Sequence, residues 1–293
     1  MKPAWNFLDL PPAQSRLADS RAVILPIPYE ETTTYQKGTG AGPAAVIAAS
    51  AQVELWDEEL RREVAQVGIF TAPPIPGGTA PAPEELHHQT LPEVGRYLDR
   101  EKFVMSLGGE HTISLGPVLA HHERFPGLAV LHFDAHGDLR DEYHGTHYGH
   151  GCVMRRVHEA GVPLVQVGIR SLSEEEAALI EASDRITTFY AHEHRNLAEA
   201  TSAIVDALPE DVYVSIDMDA FDPSVAPGVG TPEPGGLFYP EVLALLRAVS
   251  RKRRIVGADV NEVRPLPGET RTEFTAARLA YRIIGYVAES RGW

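Results

Sequence analysis

Four stretches of this chain run from an apolar segment straight into side chains that bind metals or move protons. In LAVLHFDAHGD, residues 128–138, the apolar run stops at Asp134, His136 and Asp138. In FVMSLGGEHTISLG, residues 103–116, Gly108 and Gly109 permit a tight turn before Glu110 and His111. VYVSIDMDAFDPSVAPGVGTPEPGG, residues 212–236, ends a strand with Asp217 and Asp219, which share a face of extended chain. RRIVGADVNEVRP, residues 253–265, leaves a strand with Asp259 and Glu262. Carboxylates and imidazoles are costly to desolvate, so such a crowd at the rim of a core points to a cation that neutralises it.

His111, Asp134, His136, Asp138, Asp217 and Asp219 make a set of imidazoles and carboxylates too large and too oxygen-rich for a single tetrahedral zinc. Two harder divalent ions such as Mn²⁺ suit it better. Ions roughly 3.5 to 4 Å apart can hold a water between them and bring its pKa toward neutrality. The chemistry implied is attack of that hydroxide on an unreactive electrophilic carbon.

The elements that must carry these groups read as alternating strands and helices. Apolar runs of strand length occur at 22–27, 66–70, 102–107, 128–133, 163–168, 185–189, 211–216 and 254–258. Most gaps hold helical periodicity, as in PAAVIAASAQVEL, SEEEAALIEAS, NLAEATSAIVDAL and PEVLALLRAVS. The pattern predicts an α/β fold: a three-layer α/β/α domain with a mostly parallel eight-stranded sheet covered on both faces. An eight-fold barrel would use the same count, but the polar segments follow only a few strands, as expected of an open sheet. Residues 1–293 read as one domain, with 1–20 as an N-terminal surface extension.

Composition narrows the function classes. The formal charge of −15 argues against a nucleic-acid partner, and the longest basic run, residues 251–254, falls where a helix should end before a strand. No apolar run approaches the roughly 20 residues of a membrane span, and the N-terminus lacks a secretory core. The lone cysteine, Cys152, forbids an internal disulfide and reads as a packed side chain in a cytoplasmic protein.

GGEHTIS, FDAHGDLRD and SIDMDAFDPSVAPGVGTPEPGG resemble, in order, the three signature segments of the ureohydrolases, the arginase and agmatinase family. PIPYEETTTYQKGTGAGP and EYHGTHYGHGCVMRRV look more like agmatinase than arginase. The resemblance implies an arginase/deacetylase-like fold and two Mn²⁺ per subunit. It assigns His111 and Asp138 to one ion, His136 and Asp219 to the other, and Asp134 and Asp217 as bridges. It implies His150 as a proton shuttle, with His144 and His147 as rivals, and Glu262 as the carboxylate that holds the guanidinium. The implied reaction is hydrolysis of agmatine to urea and putrescine. Arginine, guanidinobutyrate and a catalytically idle homologue are the alternatives.

The acidic Glu30 and Glu31 of the early loop favour a substrate with an amine at its far end. Asp222, Gly230, Thr231 and Gly235 should shape the loop that closes the site, and His132 should share a face with Asp134. Glu110, where aspartate is commoner, and Val229, where threonine is, depart from the family pattern. His87, His88, His121, His122, His158, His192 and His194 are expected in surface or capping roles. The family generally forms homotrimers or homohexamers, and Trp5 and Phe7 are placed to pack against a neighbour.

Overall fold

The computed structural model describes residues 6–76, 80–194 and 196–293. Its frame is one eight-stranded sheet: β1 (Ala22–Ile27), β2 (Ile69–Thr71), β3 (Phe103–Gly108), β4 (Ala129–Phe133), β5 (Leu164–Ile169), β6 (Ile186–Tyr190), β7 (Asp211–Asp217) and β8 (Arg254–Asn261). The strands lie side by side in the order β2-β1-β3-β8-β7-β4-β5-β6. Every adjacent pair is parallel, so the sheet is wholly rather than mostly parallel. The strand expected at 66–70 starts later, because a 3₁₀ turn at Val64–Val67 ends at Gly68, whose φ of 75° breaks the extended run.

Among the described residues, apart from a single turn at Pro12–Ser15, the helices that cover the sheet are α1 (Gly42–Ser50), α2 (Pro83–Leu98), α3 (Leu115–Arg124), α4 (Val153–Glu159), α5 (Glu174–Ala182), α6 (Leu197–Ala207), α7 (Tyr239–Lys252) and α8 (Arg271–Ser290). Alternate strand residues feed two cores, as the two-residue period of extended chain requires. Met105, Leu131, Phe133, Val214 and Ile216 meet α1, α6, α7 and α8 on one face. Val104 meets α2 and α3 on the other, and Val130 and Tyr213 meet α3 and α4 there. Apolar side chains on both faces explain why the strands read as unbroken runs.

The opening segment corrects the expectation of a surface extension. Phe7, Leu8 and Leu10 are buried in the core beside α1, and the Phe7 N–H donates to Thr71 Oγ1 at 2.8 Å. Phe7 is therefore spent within its own chain, and Trp5 lies outside the described residues. His121 is also buried. Its Nδ1–H donates to Pro117 O, 2.7 Å away, and the ring lies under Gly257, where any Cβ would strike it. Among the described residues no helix is long and apolar enough to cross a membrane.

Candidate metal centre

The four polar segments come from four consecutive strands, β3, β8, β7 and β4, in the middle of the sheet. Their carboxyl ends meet where the chain order reverses, the usual ligand position in an open parallel sheet. Tight turns deliver the side chains. Beyond β3 the chain passes Gly109, where a Cβ would fall on the Tyr29 carbonyl, and enters a 3₁₀ turn at His111–Ser114. Asp138 and Glu262 adopt φ of 53° and 62°, a left-handed conformation costly for residues with a Cβ. Asp217 Oδ1 accepts the Asp219 N–H at 2.7 Å, which folds the end of β7 back on itself.

The result is a buried cluster in two groups. His111 Nδ1 lies 3.1 Å from Asp134 Oδ2, 3.0 Å from Asp138 Oδ2 and 3.4 Å from Asp217 Oδ2. His136 Nδ1 lies 3.4 Å from Asp134 Oδ1 and 3.0 Å from Asp219 Oδ2. Asp134 thus turns one oxygen to each imidazole. All six ligands expected from the sequence converge here.

The hydrogen-bond network tests whether cations fit. Asp259 is fully buried and accepts from Tyr213, from Ser215 Oγ at 2.7 Å and from Asn261. With its hydrogen given to Asp259, Ser215 Oγ accepts from His111 Nε2 at 2.9 Å, so that nitrogen carries the proton. Whenever the ring is neutral, Nδ1 is then a bare lone pair facing three carboxylate oxygens, a position that only a proton or a metal ion can fill. Acceptors facing acceptors in a buried site need a cation between them, and the donor set fits divalent metal.

His132 belongs to the cluster in a different capacity. Gln166 Nε2 donates to Gly137 O at 2.9 Å and Thr188 Oγ1 donates to Gln166 Oε1 at 3.1 Å, which fixes the amide's orientation. Gln166 Nε2 therefore also donates to His132 Nδ1 at 3.0 Å, and His132 Nε2–H donates to Asp134 Oδ2 at 2.9 Å. His132 can hold a metal ligand in place but has no lone pair to give. Its proximity to Asp134 and Asp138 alone would have counted it as a ligand.

Crowded like charges shape the protonation of the metal-free cluster. Burial, then the charges of Asp219 and Asp134, holds Asp217 well above the usual carboxylate range. Burial and Asp134 push Asp138 up to about 6. Burial works against charge on Asp134 too, but contacts with His111, His132 and His136 outweigh it and hold this carboxyl low. The same carboxylates outweigh the burial of His111 and His136 and raise both imidazoles.

A cavity of about 200 Å³ opens onto the cluster, lined among others by His150, Glu262, Thr231, Arg140 and Glu176. Glu262 Oε1 accepts the His111 N–H at 2.9 Å, while Oε2 lies against Gly230. Burial and the charge of Glu110 hold the Glu262 carboxyl well above its ordinary value. Burial and the nearby His136 and His111 push His150 down to about 4, which leaves it neutral at neutral pH. His144 and His147 do not line this cavity, and His147 turns to Asp141 instead.

The loop after β7 is pinned over the site. Asp222 Oδ2 accepts from Gly235 N and Gly236 N, and Thr231 Oγ1 donates to Asp219 Oδ2 at 3.2 Å. Arg170, not singled out in the sequence, donates to the carbonyls of Asp219 and Glu233. Glu176 was missed as well. It caps α5 with Ser173 and accepts the Leu139 N–H at 3.0 Å, so it steadies the loop that carries Asp138. The Ser-x-x-Glu capping signal was the clue available. Glu110 accepts from Glu31 N, Thr32 N, Thr32 Oγ1 and Thr112 Oγ1, and Val229 is buried in the core.

The model of the arginase family matches residues 20–285. An N(1)-aminopropylagmatine ureohydrolase of Synechocystis sp. is 40% identical, covering 94% of this chain and 91% of the relative. An agmatinase of Pyrococcus horikoshii is 34% identical, covering 93% and 94%. The crystal structure of an agmatine ureohydrolase of Thermoplasma volcanium superposes with a TM-score of 0.85 at 27% identity, over 96% of this chain and 94% of that one. With a family model spanning nearly its whole length and relatives this close, the chain is a member of the arginase family.

Proposed function

We propose that this chain is a manganese-dependent ureohydrolase that cleaves the guanidino group of agmatine or of its N(1)-aminopropyl derivative, releasing urea and the parent amine. The observation that carries the reading is Asp134, which offers one oxygen to each of two imidazole–carboxylate groups, with Glu262 across the same cavity. The oxygen-rich donor set favours Mn²⁺. Divalent cations held by His111, Asp138, His136, Asp219, Asp134 and Asp217 would supply Lewis acidity and an acidified water.

The chain's own residues bind the substrate and move the protons. Glu262, ionised by an arriving guanidinium, pairs with its planar face of donors and aims the central carbon into the cluster. The His111 N–H donates to Oε1 and fixes the position of that carboxylate. His150 is neutral and lines the cavity, so it can take a proton and return it to the departing amine. The two substrates are those named for the Synechocystis and Pyrococcus relatives.

One observation favours a guanidino acid instead: Arg140 lines the cavity, although it stacks over Tyr143 and lies 3.9 Å from Glu176. Urea release should be measured from agmatine, N(1)-aminopropylagmatine, arginine and guanidinobutyrate, with and without Mn²⁺. The amines should give urea only with metal. Turnover confined to the acids would move the reading to Arg140, and no urea from any compound would overturn it.

A further inference from the structure

The cavity over the cluster does not end at His150. Thr34, Tyr143 and His150 are also walls of a second, larger space of about 380 Å³ that lies beside it between the early loop and residues 143–150. No lysine or arginine lines it, and its one carboxylate is Glu31. The rest of its polar side chains are threonine, Tyr143 and histidine, which suits a chain of methylenes and ammonium groups rather than an anion.

Glu31 differs from its neighbour in what its side chain does. The Glu30 carboxylate is consumed inside the loop by the N–H groups of Gly38 and Gly40 and by Thr33 Oγ1. The Glu31 carboxylate is exposed and makes no hydrogen bond or ion pair with any other described residue. Its backbone is nonetheless fixed, since Glu31 N and Thr32 N donate to Glu110 Oε2 at 2.9 and 2.7 Å. Glu110 directly precedes the metal-cluster residue His111. A free carboxylate is thus presented from an anchor tied to the reacting end of the site.

We infer that this second chamber is a subsite for the distal ammonium of an elongated guanidino-amine, with Glu31 as its counter-charge, so that the chain prefers N(1)-aminopropylagmatine to agmatine. The inference rests on the ureohydrolase reading above. The aminopropyl arm adds three methylenes and a second positive charge beyond the amine at which agmatine stops. With the guanidinium at Glu262, that arm extends beyond the inner cavity, and the chamber that shares Thr34, Tyr143 and His150 with it is the neighbouring space able to take it. Removal of urea from the longer substrate leaves a triamine, spermidine, where agmatine leaves the diamine putrescine, so the products carry the same difference in charge.

The test compares wild type with Glu31→Gln and Glu31→Lys on two readouts. The ratio of kcat/KM for N(1)-aminopropylagmatine over agmatine should exceed one in the wild type. It should fall roughly two- to fivefold in Glu31→Gln, mostly through KM, as befits a partly solvated charge pair. In Glu31→Lys it should fall further. Calorimetric binding of spermidine against putrescine to the Mn²⁺-loaded protein should show the same change in ratio without any turnover. A ratio unaltered by both variants overturns the subsite, whether or not urea is made. No urea from any of the four guanidino compounds by the metal-loaded wild type overturns the ureohydrolase reading instead, and the binding ratio still decides the chamber's role.

Discussion

Asp259 and Ser215 touch no proposed ligand of the substrate, yet they decide which nitrogen of His111 faces the cluster. Asp259 takes the Ser215 hydrogen, Ser215 takes the one on His111 Nε2, and Nδ1 is left bare. Ser215→Ala removes the acceptor and frees the ring to adopt the other tautomer. We expect about tenfold weaker Mn²⁺ binding by equilibrium dialysis, in line with losses of partners to metal ligands elsewhere. Activity at saturating Mn²⁺ should return to within a few fold of wild type. Unchanged metal affinity would show that Ser215 does not position His111. The six expected ligands were legible because acids and imidazoles stand out at the ends of apolar runs. Ser215, Gln166 and Thr188 were not, since neutral side chains inside strands carry no signal until their neighbours are known.

At the scale of elements, the strands declared themselves and their order did not. Eight apolar runs could be read because both faces of each strand are covered, but nothing in 103–108 and 254–261 announces that they pair. The site depends on that pairing: residues far apart in the chain meet because β3, β8, β7 and β4 are neighbours. Helices α2, α3 and α4, with their histidines, prolines and glycines, gave weaker signals than α5, α6 and α7, and the burial of His121 under Gly257 was invisible for the same reason. The turn after β3 offers a test of how tightly the elements must close. A Cβ on Gly109 would meet the Tyr29 carbonyl, and backbone cannot swing aside as a side chain can. Gly109→Ala should cost on the order of 1–3 kcal/mol in chemical denaturation, as overpacking does, and should lower metal content alongside. A variant as stable as wild type would mean that the turn is looser than this packing implies.

For the whole molecule, the apolar cores lie along the two faces of the sheet and the charged cluster sits at one end, so the fold does not depend on cations for its burial. A chelated protein should keep its far-ultraviolet circular dichroism at 25 °C and lose stability rather than structure. The size of that loss must vary with pH. Asp138 at about 6 in the metal-free fold lies above the unfolded carboxylate value of roughly 3.9, driven first by burial and then by Asp134. Its contribution to the metal-free fold is complete below the unfolded value and is lost as pH rises through about 6. Asp217 is raised in the same sense, and the protons held by His111 and His136 must also leave before a cation can enter. Metal binding therefore strengthens with pH over the range in which the empty fold weakens. Ligand-linked stabilisation grows with the ratio of free metal to its dissociation constant, by about 4 kcal/mol at a thousandfold excess. The rise in Tm on adding a fixed excess of Mn²⁺ should consequently be several degrees larger at pH 8 than at pH 5. An equal or larger rise at pH 5 would show that the carboxylate cluster is not where the metal binds.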